Sequence, residues 1–322
     1  MRSLWRRVDE LKHEPLGSPM KVRIAVTLGD DGRIEKWQLD TWSGAFAQRP
    51  GWNGGVNLHA AADGSGCWPF AEAKDLPAHN GGSKNAVAGY DFLQSATHHM
   101  VHGLPFRLSA LRSLGAFANV FAIESFMDEL AQQVQADPLE CRLRHLSDPR
   151  AVRVLDAAAA LTDWTGAQCA GRSLGIGYAQ FKNSGAYCVV VAEVSAEDDV
   201  RLVHLWSAVD AGLAIVPDSV RAQVEGGLLQ AASWTLHEGL PTEGPRVVAE
   251  TWSDYPVLRF ADVPRIDVQV ISDPAFPSLG VGEVSLGPAA GAIGNAVAAA
   301  LGLHLKDLPL TSDRIREALL AM

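Results

Sequence analysis

Clustered cysteines are what this sequence most plainly lacks. Its four, Cys67, Cys141, Cys169 and Cys188, lie far apart and form no CxxC, so no thiolate set for zinc or an iron–sulfur cluster is encoded. Isolated thiols of this kind are expected to be reduced and structural, in a reducing compartment such as the cytoplasm, with export beside a partner left open. No run of 18 apolar residues occurs, and no membrane-spanning helix is expected. Positive charge is short as well. Lys and Arg total 27 against 37 Asp and Glu, a formal net charge of −10, which argues against nucleic acid or an anionic membrane as partner. The basic start, Met1 to Arg7, leads into Val8-Asp9-Glu10 rather than an apolar segment, so it does not read as a signal peptide. Of ten histidines only His98-His99 are adjacent; neighbours on a strand face opposite ways and chelate poorly. No side-chain metal ligands are expected.

What is present is the composition of a globular protein, 48% hydrophobic and 20% charged. Val22 to Thr27, a turn at Gly29 to Gly32, and Arg33 to Leu39 predict a hairpin. Ser43 to Asn85 is rich in Gly, Pro, Asn and Trp and predicts a long loop. Helical periodicity follows over Ala116–Val134, then Pro138–Leu146 and Val152–Leu161. A polar, Gly-rich stretch at 162–172 predicts a boundary. Beyond it come strands at Tyr187–Ser195 and Val200–Val209, a helix at Ser219–Leu236, and a strand at Ile266–Ile271. A Gly-rich loop, Ser278 to Gly287, enters a helix opened by Pro288 and closed by Gly302. The expectation is an α+β fold of two layered units, residues 1–161 and 162–322.

Three stretches could carry chemistry. In Leu279-Gly280-Val281-Gly282-Glu283-Val284-Ser285-Leu286-Gly287-Pro288 a single carboxylate sits among glycines and apolar residues before a helix. Glycines admit close approach of a ligand, and a poorly solvated glutamate is expected to hold its proton more tightly, as suits a general base. The alternative is a carboxylate that only stabilises the helix N-terminus. In the second, Gln223, Gly227, Gln230 and Trp234 share one helix face. The glycine pair Gly226-Gly227 implies close approach of either a ligand or another element. In the third, Arg107 to Gly115, Arg112 could meet an anion or pair with a surface carboxylate. Glu124, within an apolar stripe, is expected to have a buried partner.

Taken in order, these segments resemble the molybdopterin-binding subunit of the xanthine dehydrogenase/aldehyde oxidase family, nearest its isoquinoline 1-oxidoreductase and nicotinate dehydrogenase branch. The markers run from Trp5-Arg6-Arg7-Val8-Asp9-Glu10 through Leu111-Arg112-Ser113-Leu114-Gly115 and Glu124-Ser125-Phe126-Met127-Asp128-Glu129-Leu130 to Gln223-Val224-Glu225-Gly226-Gly227. Gly280-Val281-Gly282-Glu283 and Leu308-Pro309-Leu310-Thr311 complete them. The resemblance implies a molybdenum hydroxylase. Glu283 would be the base that deprotonates a metal-bound hydroxyl, whose oxygen attacks an electron-poor carbon of an N-heterocycle or aldehyde. It implies molybdopterin, in its cytosine dinucleotide form, held by Gln223, by Arg112 with Ser113, Leu114, Gly115 and Ala116, and by Gly282, Ser285, Leu286 and Gly287. It also implies 2Fe–2S clusters on a partner subunit that carries electrons onward.

Departures accompany the likeness. Val284 stands where the family usually has proline, and Val216-Pro217 where it often has Asn-Pro. The family's first half, with its Gly-Gly-x-Phe-Gly loop, has no counterpart. The expectation is a split subunit completed by a second chain; the alternative is a truncated, inactive structural fragment.

Overall fold

The computed structural model describes residues 4–47, 76–165, 172–197 and 199–321. Cys67, Cys169 and most of the 43–85 and 162–172 stretches lie outside them. The predicted hairpin is β1 (Met20–Leu28) with β2 (Ile34–Ser43), paired antiparallel from Met20 opposite Ser43. Gly32 (φ 73°) makes the left-handed step of its turn. A strand with no clear sequence signal, β3 (Leu93–Met100), lies parallel to β2. A short α1 (Arg7–His13) precedes this sheet.

Helix α2 (Ala116–Gln133) covers β1. The next two helices, α3 (Pro138–Leu143) and α4 (Pro149–Thr162), each start with Pro and with an Asp N-cap whose carboxylate accepts first-turn N–H groups, Asp137 from Leu139 and Glu140, Asp148 from Arg150. The second sheet runs β4 (Ser173–Gln180), β5 (Tyr187–Ser195), β6 (Arg201–Asp210) and, after a helical crossover, a strand parallel to β6. That crossover is α5 (Pro217–Leu236). A two-residue pair, β7 (Thr242–Glu243) with β8 (Arg246–Val247), precedes the parallel strand, β9 (Arg265–Ile271). Two further helices end the chain, α6 (Leu286–Leu301) and α7 (Ser312–Leu320).

The central strands are buried on both faces, and the alternation of side chains sorts them into two cores. Cys188, Val190, Ala192, Leu205 and Val209 face α5 and α6. Tyr187, Val189, Val191, Trp206 and Ala208 face α4, α2 and the first sheet. The second cluster therefore draws on residues from both sides of position 161.

Helix α6 is almost wholly Ala, Gly, Leu, Ile and Val because it is pressed between two elements. On one side, a Cβ at Gly175 or Gly177 of β4 would collide with α6 backbone, at Ala292, Asn295 and Ala296 and at Pro288. On the other, a Cβ at Gly291 would come within 2.6 Å of Glu124 Cβ on α2. Glu124 is fully buried and has the partners its position demanded: Arg142 Nε at 2.8 Å, the Tyr90 hydroxyl at 2.8 Å and the Tyr178 N–H at 2.9 Å. Asn295 of α6 adds bonds to the Glu124 and Ile176 carbonyls. This polar knot sets α2, α3, β4 and α6 in register.

Candidate active site

The loop before α6 places Glu283 where α2 begins and α5 passes. Its Oε2 lies 3.1 Å from Lys84 Nζ, and its Oε1 accepts the Ser113 N–H at 3.1 Å. These partners, rather than the first-turn amides of α6, hold the carboxylate; it does not act as a helix cap. The setting is less apolar than expected: the side chain is 29% exposed, and both oxygens meet a donor. Lys84 is the deeper partner, 3% exposed. Burial lowers its ammonium below the usual lysine value, while Glu283 works to hold the proton on it.

Arg112 ties three segments together through oxygens of backbone and amide groups. Nε donates to the Gly282 carbonyl at 2.5 Å, Nη2 to the Gln223 carbonyl at 3.0 Å and to Gln223 Oε1 at 3.3 Å, and Nη1 to Gln230 Oε1 at 3.4 Å. Burial lowers the guanidinium from its ordinary value, opposed by the charge of Glu283. Directly after it, Ser113 (φ 80°) and Leu114 (φ 50°) adopt left-handed backbone, a strained turn that aims the Ser113 N–H at Glu283. The turn is braced from beneath. The Gly115 N–H donates to the Gly81 carbonyl at 3.0 Å, and Asn119 Nδ2 donates to the carbonyls of Gly82 and Lys84.

Arg112, Ser113, Gln223, Gly282 and Glu283, far apart in the chain, thus meet at one place. The other residues singled out from sequence support them from inside. Ala116, Ser285 and Leu286 are buried. Gly115 abuts the 81–82 backbone, and Gly287 abuts Val120 and the Ala116 carbonyl. Leu114 borders the cavity beside Glu283. The Gly226-Gly227 pair resolves in favour of close element packing at Gly227, where a Cβ would collide with Ser285 Oγ, whose hydroxyl donates to the Val224 carbonyl at 3.2 Å. Lys84 was missed. A lone lysine in a Gly-rich loop carries no pattern, and only the fold places it 199 residues from its partner.

A cavity of about 440 Å³ opens beside Glu283, lined by Lys84, Asn80, Arg112 and Lys182 among others. On the far side of the Arg112 loop, between β1 and α2, lies a larger one of about 720 Å³ bordered by Phe117, Phe121 and Trp234. Arg112 and Leu114 border both.

A family model described as the molybdopterin cofactor-binding domain matches residues 127–264. A nicotinate dehydrogenase subunit of Pseudomonas putida is 31% identical over 97% of this chain, and the beta subunit of isoquinoline 1-oxidoreductase of Brevundimonas diminuta 30% over 96%. The chain belongs to the xanthine dehydrogenase family of molybdenum-binding subunits. It spans only 27% and 38% of those two relatives. The fold agrees: quinoline 2-oxidoreductase from Pseudomonas putida 86 superposes with a TM-score of 0.75 at 14% identity, over 98% of this chain and 64% of that one. Aldehyde oxidoreductase from Desulfovibrio gigas gives 0.73 at 14% identity, over 98% and 50%. The α+β fold predicted from the sequence is the one these structures share. Among the described residues no helix is long and apolar enough to cross a membrane, and no group of three His, Cys, Asp or Glu side chains could hold a metal ion.

The site suits the family's cofactor. Among the described residues, Ser113 Oγ is buried with no hydrogen-bond partner, although it neighbours the strained amide. A Cβ on Gly280 would meet nothing within 4 Å, and one on Gly282 only Gln223 Oε1 at 3.9 Å. The chain's own packing therefore does not demand glycine at either position, and both leave room for another group's approach.

Proposed function

We propose that this chain forms part of the molybdenum site of a hydroxylase that oxidises an N-heterocycle or an aldehyde with water-derived oxygen, with Glu283 as base. The observation that carries the reading is the meeting of Glu283, Arg112 and Gln223 at one place, with Glu283 and Arg112 bordering a cavity and the carboxylate held by two donors. Glu283 accepts a proton at a carboxylate oxygen during turnover. Lys84 and the Ser113 N–H hold that carboxylate in one orientation and stabilise its charge. Arg112 fixes the distance between the Gly282 and Gln223 backbones, so that the loop bearing the base and the helix bearing Gln223 move as one body.

Gln223, Arg112, Ser113 and Gly282 would hold the molybdopterin, in its cytosine dinucleotide form. The larger cavity, between β1 and α2 and bordered by Arg112, gives such an extended group room. When bound, it supplies the oxidising centre that takes two electrons from the substrate. We infer that a second chain supplies the remaining wall of the site and that a subunit with 2Fe–2S clusters carries electrons away. The names of the relatives describe subunits of larger enzymes, which supports this reading. Purification from the native host tests it. The chain should bring down both partners, with stoichiometric molybdenum and iron. A lone, metal-free chain would contradict the assignment and favour an inactive fragment.

A further inference from the structure

We propose that the cavity beside Glu283 receives a substrate bearing a carboxylate, which Lys182 binds at the cavity edge. The inference rests on the reading of Glu283 as base.

The first observation is a local excess of positive charge. Lys84, Arg112 and Lys182 line the cavity against the single carboxylate of Glu283, in a chain whose formal net charge is −10. Lys84 is matched by Glu283, and Arg112 is spent on carbonyl and amide oxygens. Lys182 is exposed, and among the described residues its ammonium has no carboxylate partner.

The second is how Lys182 is presented. It has φ 56° and ψ 18°, and Asn183 has φ 54°, two consecutive left-handed residues where glycine would be unstrained. Such backbone persists only when its surroundings enforce it, and it clusters at binding sites. Asn85, itself left-handed at φ 56° and 3% exposed, enforces it: Oδ1 accepts the Lys182 N–H at 2.9 Å and Nδ2 donates to the Gln180 carbonyl at 2.8 Å. Asn183 Nδ2 completes the brace by donating to the Val87 carbonyl at 2.8 Å. The residue next to Lys84 thus clamps the turn that carries Lys182.

The third is the ring between the two cations. Lys84 Nζ lies 5.0 Å and Lys182 Nζ 5.6 Å from the Phe181 centroid. Two ammoniums on one wall, one buried and one at the surface, focus positive potential into a cavity of about 440 Å³, a size that fits a small organic ligand. A carboxylate at Lys182 would leave the ring of a small aromatic acid facing Glu283.

A phosphate of the cofactor offers the same charge, so the test separates the two sources. The full chain is titrated calorimetrically with benzoate, benzamide and inorganic phosphate, as wild type and as Lys182→Met and Lys182→Arg. Benzoate is expected to bind wild type and Lys182→Arg, and about tenfold more weakly to Lys182→Met, as losing one charged hydrogen bond implies; benzamide should not distinguish the three. Circular dichroism checks that each variant is folded. Equal benzoate binding by folded Lys182→Met, or phosphate bound as tightly as benzoate with the same dependence on Lys182, overturns the proposal. No benzoate binding by wild type does so too. Failure of Glu283 as base shows instead in turnover by the assembled enzyme, which these titrations do not read.

Discussion

Arg112 works through geometry more than through charge. Its planar fork reaches Gly282, Gln223 and Gln230 together, whereas a lysine offers one point charge that cannot span all three. Arg112→Lys should therefore cost about 2 kcal/mol, the range for lost hydrogen bonds to a charged group. The loss would be read as a lower urea midpoint for the chain and as reduced molybdenum retention by the assembled enzyme; an unchanged midpoint would mean that the three segments hold together without it. At this scale the sequence was informative where motifs are ordered and silent where they are not. Glu283, Arg112 and Gln223 stand in ordered segments that the family resemblance singles out. Lys84 and Lys182 are single lysines in irregular segments, and their placement depends on long-range closure by Asn119 and Asn85. The polar partners of Glu283 were not legible either, because no local pattern announces a buried lysine.

Among the elements, β4 and α6 form the tightest contact that positions the site. Gly175 has no space for a side chain against α6, so Gly175→Val should destabilise the chain by about 3 kcal/mol, the upper range for overpacking. Calorimetric melting would read it. The same glycines explain why β4 gave no strand signal: Gly175 and Gly177 weaken strand propensity but admit the helix. Strand β3 was missed for another reason, since Gln94, Ser95, Thr97, His98 and His99 dilute the apolar alternation. Helices α2 and α5 were legible from their apolar stripes, α6 from Pro288 and Gly302 at its ends, and β5 and β6 from their strongly apolar runs.

Asp210 locks β6 to α4. Fully buried, it meets Arg150 at 2.6 Å, Arg153, and the Gly212 N–H at 2.9 Å. Burial raises its carboxyl value, but the Arg150, Gly212 and Arg153 bonds outweigh that and lower it below the ordinary one. A carboxyl lowered on folding stabilises the fold above the unfolded value, about 4 for Asp, and that stability is lost as pH falls through the folded value. Asp210→Asn should cost roughly 3 kcal/mol at pH 7. The gap from wild type should narrow as pH falls below about 4. Denaturant titrations at several pH values check both, and a gap that widens in acid would contradict the assignment.

For the whole molecule, the two cores on opposite faces of the second sheet bring distant segments to one cavity, and the chain spans under half the length of the curated relatives that match it over nearly its full extent. In the proposed function it contributes the base, its two donors and the arginine clamp to a larger site. Composition and periodicity made the α+β layering legible; the completing partners were implied only by family likeness. The most direct test is turnover by the purified assembly carrying Glu283→Gln, with molybdenum measured on the same sample. The amide keeps the size of the side chain but cannot accept the proton. The account predicts unchanged molybdenum content with kcat lowered about 10²- to 10⁴-fold, the usual contribution of a positioned base. Wild-type turnover by a fully metallated Glu283→Gln enzyme would contradict it.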